Sequence, residues 1–206
     1  YGATGGVTGS CHIIRNGQYQ ILIDCGLIQG RRKEEEANRD PFPFNINEID
    51  AVVLSHAHID HSGRTPLLVK RGFKGPIYTQ NATRDLCAIL LRDSASLAER
   101  DAKYENKKRS KKDMDPIEPL YTEADAIDAW ELMQGLPYRQ KTEILPGIYI
   151  RYQDAGHILG SCMVEIWISE NGVDRKLVFS GEIGQYDTPI LKDPKTIADA
   201  DMVLIE

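Results

Sequence analysis

No stretch of this sequence approaches the roughly 18 consecutive apolar residues expected of a helical membrane span. Its four cysteines, Cys11, Cys25, Cys87 and Cys162, form neither a CxxC pair nor a dense framework. That spacing disfavours a disulfide scaffold or a thiolate metal site and leads us to expect buried thiols in a reducing compartment, the cytoplasm. A positive excess is also missing, since 25 Lys and Arg stand against 31 Asp and Glu for a formal net charge of -6. No global field therefore gathers a polyanion such as RNA, and any nucleic-acid contact has to be local. No internal repeat or low-complexity segment stands out. The chain starts at Tyr1 without a methionine and stops in the apolar run DMVLIE with no turn or polar tail, so both ends are expected to be cut.

What is present is the balance of a soluble globular protein, 27% charged and 41% hydrophobic over 206 residues, enough for one domain or the larger part of one. CHIIR and YQILID, separated by Asn16-Gly17, predict an opening β-hairpin. The charged and proline-bearing segment QGRRKEEEANRDPFPFN reads as a surface loop before a buried strand that ends at Ser55. RTPLLVKRG predicts a helix stopped by Gly72, and GPIYTQ a short strand. From Asn81 to Lys112 the pattern is helical, with Leu86, Ile89, Leu90 and Leu97 on one face, and this arm is expected to leave the core. Its basic end, Arg100 to Lys112, reads as a solvated helix terminus, with phosphate contacts and base stacking by Tyr104 as the less favoured reading. A second helix is expected over 122–134, with Thr122 as its N-cap. GIYIRYQDAG, SCMVEIWIS, DRKLVFSG and DMVLIE then read as strands, with an Asn171-Gly172 turn between the second and third. Strands at both ends with helices between them predict an α/β layered sandwich, residues 81–135 being a helical excursion within it.

Four of the five histidines fall in two short segments that follow predicted strands; the fifth, His12, sits in a strand. SHAHIDHSG places His56, His58, Asp60 and His61 within six positions. In extended chain His56 and His58 point the same way, and a turn at Asp60 and His61 brings a carboxylate and a third imidazole to an adjacent point. Imidazole with carboxylate suits a borderline divalent ion such as zinc, ahead of iron or manganese. Four such ligands crowd one ion but suit two ions about 3.5 to 4 Å apart. DAGHILGS supplies His157 between two glycines after a strand, and FSGEIG supplies Glu182 after another. Alone, each of these has an ordinary loop residue as its alternative.

In that order, HAHIDH, AGHILGS and FSGEIG resemble the successive metal motifs of the metallo-β-lactamase superfamily. GATGGVTGSCH, LIDCGLIQG, GPIYTQNATRDL and the closing LIE resemble its β-CASP nucleases. The resemblance covers nearly the whole chain and implies an αββα sandwich of which residues 1–206 form the N-terminal portion. It implies that His56, His58 and His157 hold one zinc, that Asp60 and His61 hold the other, and that Glu182 lies between them. By the same likeness Asp60 serves the attacking water, Asp24 orients a ligand histidine, and Glu206 is the acid that pairs with a catalytic histidine further along. For Asp24, a strand-terminal Asp satisfying backbone amides is the equal alternative. The implied activity is zinc-dependent hydrolysis of RNA, probed best with single strands, with no membrane partner and with a homodimer left open. Glu182 departs from the family's usual Asp, and the family's cap domain and later histidines follow the position where this chain stops. The segment alone is thus expected to have an incomplete second metal position and little activity. A non-catalytic RNA-binding scaffold, motivated by Glu182, and a small-molecule hydrolase of the same fold are the alternatives.

Overall fold

Side chains along a strand point alternately to its two faces, and in the first sheet of this chain both faces are apolar. The computed structural model describes residues 2, 3, 5–170 and 172–206, without the side chain of residue 32. β1 (His12–Arg15) and β2 (Gln20–Ile23) form the hairpin that Asn16-Gly17 announces, with His12 opposite Ile23. β3 (Ala51–Val53), β4 (Ile77–Gln80) and β5 (Met133–Leu136) add in parallel, so the sheet order follows the chain order. β6 (Thr142–Leu145), β7 (Ile148–Asp154), β8 (Cys162–Glu170) and β9 (Val173–Phe179) form an antiparallel second sheet, to which β10 (Met202–Leu204) adds parallel to β9. Asn171 of the expected turn lies outside the described residues, as do Tyr1 and Thr4 of the opening segment; Glu170 pairs with Val173 across that turn.

Leu22, Val52 and Leu54 look outward from the first sheet toward a helical layer, packing with Cys87, Leu91 and Tyr121. Ile21, Ile23 and Val53 look the other way, onto Ile150, Tyr152, Val164 and Phe179 of the second sheet. Each of these fully buried aliphatic side chains contributes about 1.5–3 kcal/mol. The helices are α1 (Arg32–Glu35), α2 (Ile59–Ser62), α3 (Thr65–Lys70), α4 (Asn81–Ser110) and α5 (Glu123–Glu131). Among the described residues this chain supplies three layers of the expected four. The outer face of the second sheet is mixed instead, with Glu165 gripped by Arg151, Gln153 and Lys176 beside Met163, Trp167 and Val178.

Two sequence expectations need correction. α4 does not leave the core: its buried positions are Thr83, Cys87, Leu91, Ala95 and Ala102, whereas Ile89 and Leu97 are exposed. The buried stripe is made largely of small residues, which let the helix lie close to α5 and the sheet, so ranking by hydrophobicity picks a neighbouring face. The second helix is N-capped as expected, Thr122 and Asp125 forming a reciprocal capping box, but it stops at Glu131. Met133 and Gln134 instead begin β5, so the excursion ends by returning a strand to the first sheet. β6 and the single turn α2 were not anticipated.

Candidate metal centre

The C-terminal ends of β2, β3, β7, β9 and β10 meet at one rim, and each is followed by one of the chemically interesting segments. After β2, Asp24 adopts a left-handed conformation, φ 55°, which Asp tolerates better than most residues. The next residues run against the histidine loop: Cys25 N–H donates to His61 O at 2.8 Å and Leu27 N–H to Ile59 O at 2.9 Å. Gly26 is required there, because a β-carbon would come within 1.5 Å of Asp60 O. After β3, His58 is the N-cap of α2, and that single turn directs Asp60 and His61 back toward the centre. After β7, Ser161 Oγ accepts from His157 N–H at 3.0 Å, and Thr83 Oγ1 at the start of α4 donates to Gly160 O at 2.8 Å. The histidine loop after β7 is thus pinned to the helical layer.

These loops bring together donors that are up to 126 positions apart, from His56 to Glu182. One donor atom from each of His56, His58, His157 and Glu182 lies within 4.8 Å of the other three, and Asp60, His61 and Glu182 form a second such group. His58 Nδ1 is 3.1 Å from both His56 Nε2 and His157 Nε2. Glu182 belongs to both groups through different oxygens. Its Oε2 stands 2.5 Å from His157 Nε2, 3.4 Å from His56 Nε2 and 3.5 Å from His58 Nδ1, while Oε1 stands 3.8 Å from His61 Nε2. Asp60 Oδ2 is 3.9 Å from the same His61 nitrogen.

Behind this cluster, Asp24 meets both Ser55 and His61. Its Oδ1 accepts from Ser55 N–H at 2.7 Å; its Oδ2 accepts from Ser55 Oγ at 2.7 Å and faces His61 Nδ1 at 2.8 Å. Asp24, His61 and Glu206 form a third group, Glu206 Oε2 lying 4.0 Å from His61 Nδ1. Glu206 is anchored by its N–H donating to Ser180 Oγ at 3.0 Å. Sequence reasoning missed His12, whose Nε2 is 3.9 Å from Glu206 Oε1. The hairpin register was the available signal, since pairing Arg15 with Gln20 sets His12 opposite Ile23, one residue before Asp24.

The electrostatics divide the histidines. Burial, reinforced by the neighbouring imidazoles of His61, His58 and His157, lowers the His56 pKa to about 2, so its ring is neutral and its lone pair free. Burial also works against charge on His61, but the hydrogen bond and charge of Asp24, with Glu206 and Asp60, raise it to about 9. Burial likewise lowers His157, against the pull of Glu182. Imidazoles crowded nitrogen to nitrogen around a carboxylate fit a divalent cation, which would take up lone pairs that the protein leaves facing one another.

Residues 4–148 match the family model described as the metallo-beta-lactamase superfamily. Ribonuclease TTHA0252 of Thermus thermophilus is 37% identical over 206 residues, all of this chain and 42% of that protein. Transcription termination factor FttA of Methanosarcina mazei is 34% identical over 195 residues, 90% of this chain and 26% of that protein. The chain thus spans less than half the length of these curated relatives. Among solved structures, a Cronobacter sakazakii metallo-beta-lactamase with an HARLDQ motif matches with a TM-score of 0.52 at 17% identity, covering 90% of this chain and 57% of that one. The subclass B3 enzyme MEM-A1, from a soil metagenome library, gives 0.51 at 17% identity over 96% of this chain and 73% of that one. Those structural likenesses concern the fold alone. By the match of its sequence to the family model, this chain belongs to the metallo-beta-lactamase superfamily.

Proposed function

We propose that the protein is a metal-dependent nuclease of the β-CASP type that hydrolyses phosphodiester bonds in single-stranded RNA, at a centre for two zinc ions. The observation that carries this reading is Glu182, whose two oxygens face two separate donor groups. The relatives named as a ribonuclease and as a transcription termination factor support RNA as the substrate. His56, His58 and His157 would hold one ion and Asp60 with His61 the other, Glu182 reaching both. Bound ions of this kind supply Lewis-acid charge and lower the pKa of water toward neutrality.

The chain's own residues do the rest. Burial holds the His56 pKa well down, to about 2, which leaves its Nε2 available to a cation. Asp60, whose Oδ2 lies 3.9 Å from His61 Nε2, would accept a hydrogen bond from the attacking water. Asp24 fixes the ring plane of His61 through Nδ1, leaving Nε2 to face the centre. Glu206 adds a second carboxylate on the Nδ1 side of the same ring. The scaffold alternative rested on the longer bridging side chain, and the reach of Glu182 to every histidine of the centre favours the enzyme.

Cleavage of single-stranded RNA by the intact protein is expected to stop in the presence of a chelator and return on adding Zn2+. Equal cleavage with and without chelator would reject metal catalysis. Two ions per chain in the intact protein support the enzyme, and none supports the scaffold.

A pH signature distinguishes the two positions. His61 has a pKa raised from 6.5 to about 9 in the metal-free fold, so at pH 7.5 it carries a proton that an ion at Nε2 must displace. The sign is that of a histidine whose folded pKa lies above its unfolded one: its charge stabilises the metal-free fold below pH 6.5, and that contribution fades as pH rises through about 9. Calorimetry in buffers of differing ionisation enthalpy should therefore show about one proton released with the His61-side ion, whose affinity climbs with pH. An enthalpy independent of buffer for that ion would contradict the assignment.

A further inference from the structure

We propose that His12 is a positioning residue that holds the Glu206 carboxylate behind His61 and so tunes the cation position served by His61, Asp60 and Glu182. The inference rests on the two-ion reading above and adds to it a residue from the first strand.

Two buried polar atoms motivate it. Ser10 Oγ and His12 Nε2 are both shielded from solvent and lack any hydrogen-bond partner among the described residues. Buried polar groups are rarely left unpaired, and those that are call for an explanation. Among the described residues, the one carboxylate within 4.0 Å of His12 Nε2 is Glu206, at 3.9 Å, longer than a hydrogen bond but within ion-pairing range. His12 and Ser10 both draw the Glu206 pKa down, with the charge of His61, against the opposing effect of burial.

The framework around them is fixed. The His12 ring packs on Phe179, centroids 5.5 Å apart, at the end of the strand that leads to Glu182. Ser10 N–H donates to Asp60 O at 2.9 Å, and Gly26 N–H donates to Ser10 O at 2.8 Å, so this residue ahead of the first strand is stitched to the loops that carry Asp60 and Asp24. Glu206, held from behind by Ser180, thus sits between His12 on one side and His61 Nδ1, 4.0 Å away, on the other. His61 is backed by two carboxylates: Asp24 is bonded to it directly, and Glu206 lies between it and His12. A ligand imidazole backed by carboxylate is oriented and made a stronger donor. Among the described residues no other histidine of the centre has this support, so loosening Glu206 should weaken one ion and spare the other.

The test uses Zn2+ titrated into the metal-free intact protein, with the two ions resolved by affinity. For His12→Ala we expect the His61-side ion to bind about tenfold more weakly while the ion at His56, His58 and His157 changes by less than about twofold. His12→Gln, which keeps a nitrogen donor near the same place, should recover most of the loss, although both variants give up the ring's packing on Phe179 and lower the thermal midpoint of the metal-free protein. In a Glu206→Gln background, His12→Ala should add nothing, because the residue it acts through no longer carries charge. Equal losses at both ions, no loss at either, or an undiminished effect in the Glu206→Gln background would each overturn the proposal. A wild-type protein that takes up fewer than two ions would instead bring down the two-ion reading, and with it this inference, before any variant is made.

Discussion

Exchanging His58 for alanine in the intact protein is expected to lower RNA cleavage by about 10³-fold or more, the scale of losing a preorganised electrostatic group at a reacting centre. His58 is the informative histidine because of where it stands. Its side chain is 39% exposed, whereas those of His56 and His61 are 1% and 2% exposed. Removing either buried ring opens a hole beneath the centre and confounds chemistry with folding. Removing His58 takes one nitrogen from a set in which His56 Nε2 and His157 Nε2 each lie 3.1 Å from it. Its backbone carbonyl, which accepts from His61 N–H and Ser62 N–H, is untouched. The melting temperature should therefore stay close to wild type while bound metal falls by one ion per chain. Cleavage within tenfold of wild type, with folding intact, would show that the imidazole cluster does not hold the catalytic ion.

At Asp24, alanine and asparagine should separate two jobs that one carboxylate performs. Asp24→Ala leaves Ser55 N–H, Ser55 Oγ and His61 Nδ1 without their common partner in a fully buried position. Breaking a buried charged pair of this kind costs about 3–5 kcal/mol. Asp24→Asn keeps the size and suits the left-handed backbone, so its stability loss should be the smaller by far. It should nevertheless damage the centre at least as much. Its Oδ1 can still accept from Ser55 N–H, which turns the amide nitrogen toward His61 Nδ1. That nitrogen must then become an acceptor, moving the ring proton to Nε2, the atom that faces Asp60 and Glu182. We expect metal affinity on the His61 side to drop about 10–100-fold in either variant, with only the alanine protein markedly less stable by denaturant melts. An asparagine variant that binds two ions normally would mean that Asp24 is a structural acid only.

Much of this was legible in the chain itself, for physical reasons. Two-residue spacing in SHAH, a strand before it and a turn after it leave few ways for the side chains to point, so the cluster could be read locally. His157 and Glu182 were less secure from spacing alone, since nothing in DAGHILGS or FSGEIG says which other loop each will meet; the order of motifs, and then the common rim of the two sheets, supplied that. The face of α4 was misread because its contact surface is built from Thr83, Cys87 and Ala95, residues chosen for closeness rather than for apolarity. β5 was hidden because MQGL lies against the end of an amphipathic helix, and only pairing with β4 makes it a strand. His12 was passed over because a histidine in a strand has no local signature; its neighbour Glu206 is 194 positions away and reaches it through β10.

That the imidazoles come from opposite halves of the chain has a bearing on synthesis. His58 leaves the ribosome 99 residues before His157, an interval of roughly 5–20 s at about 5–20 residues per second. During that time His56, His58, Asp60 and His61 are all made, but neither cluster is complete, because His157 and Glu182 have yet to follow. Both donor groups are therefore completed only once the second sheet has been made and docked, since His157 and Glu182 follow β7 and β9.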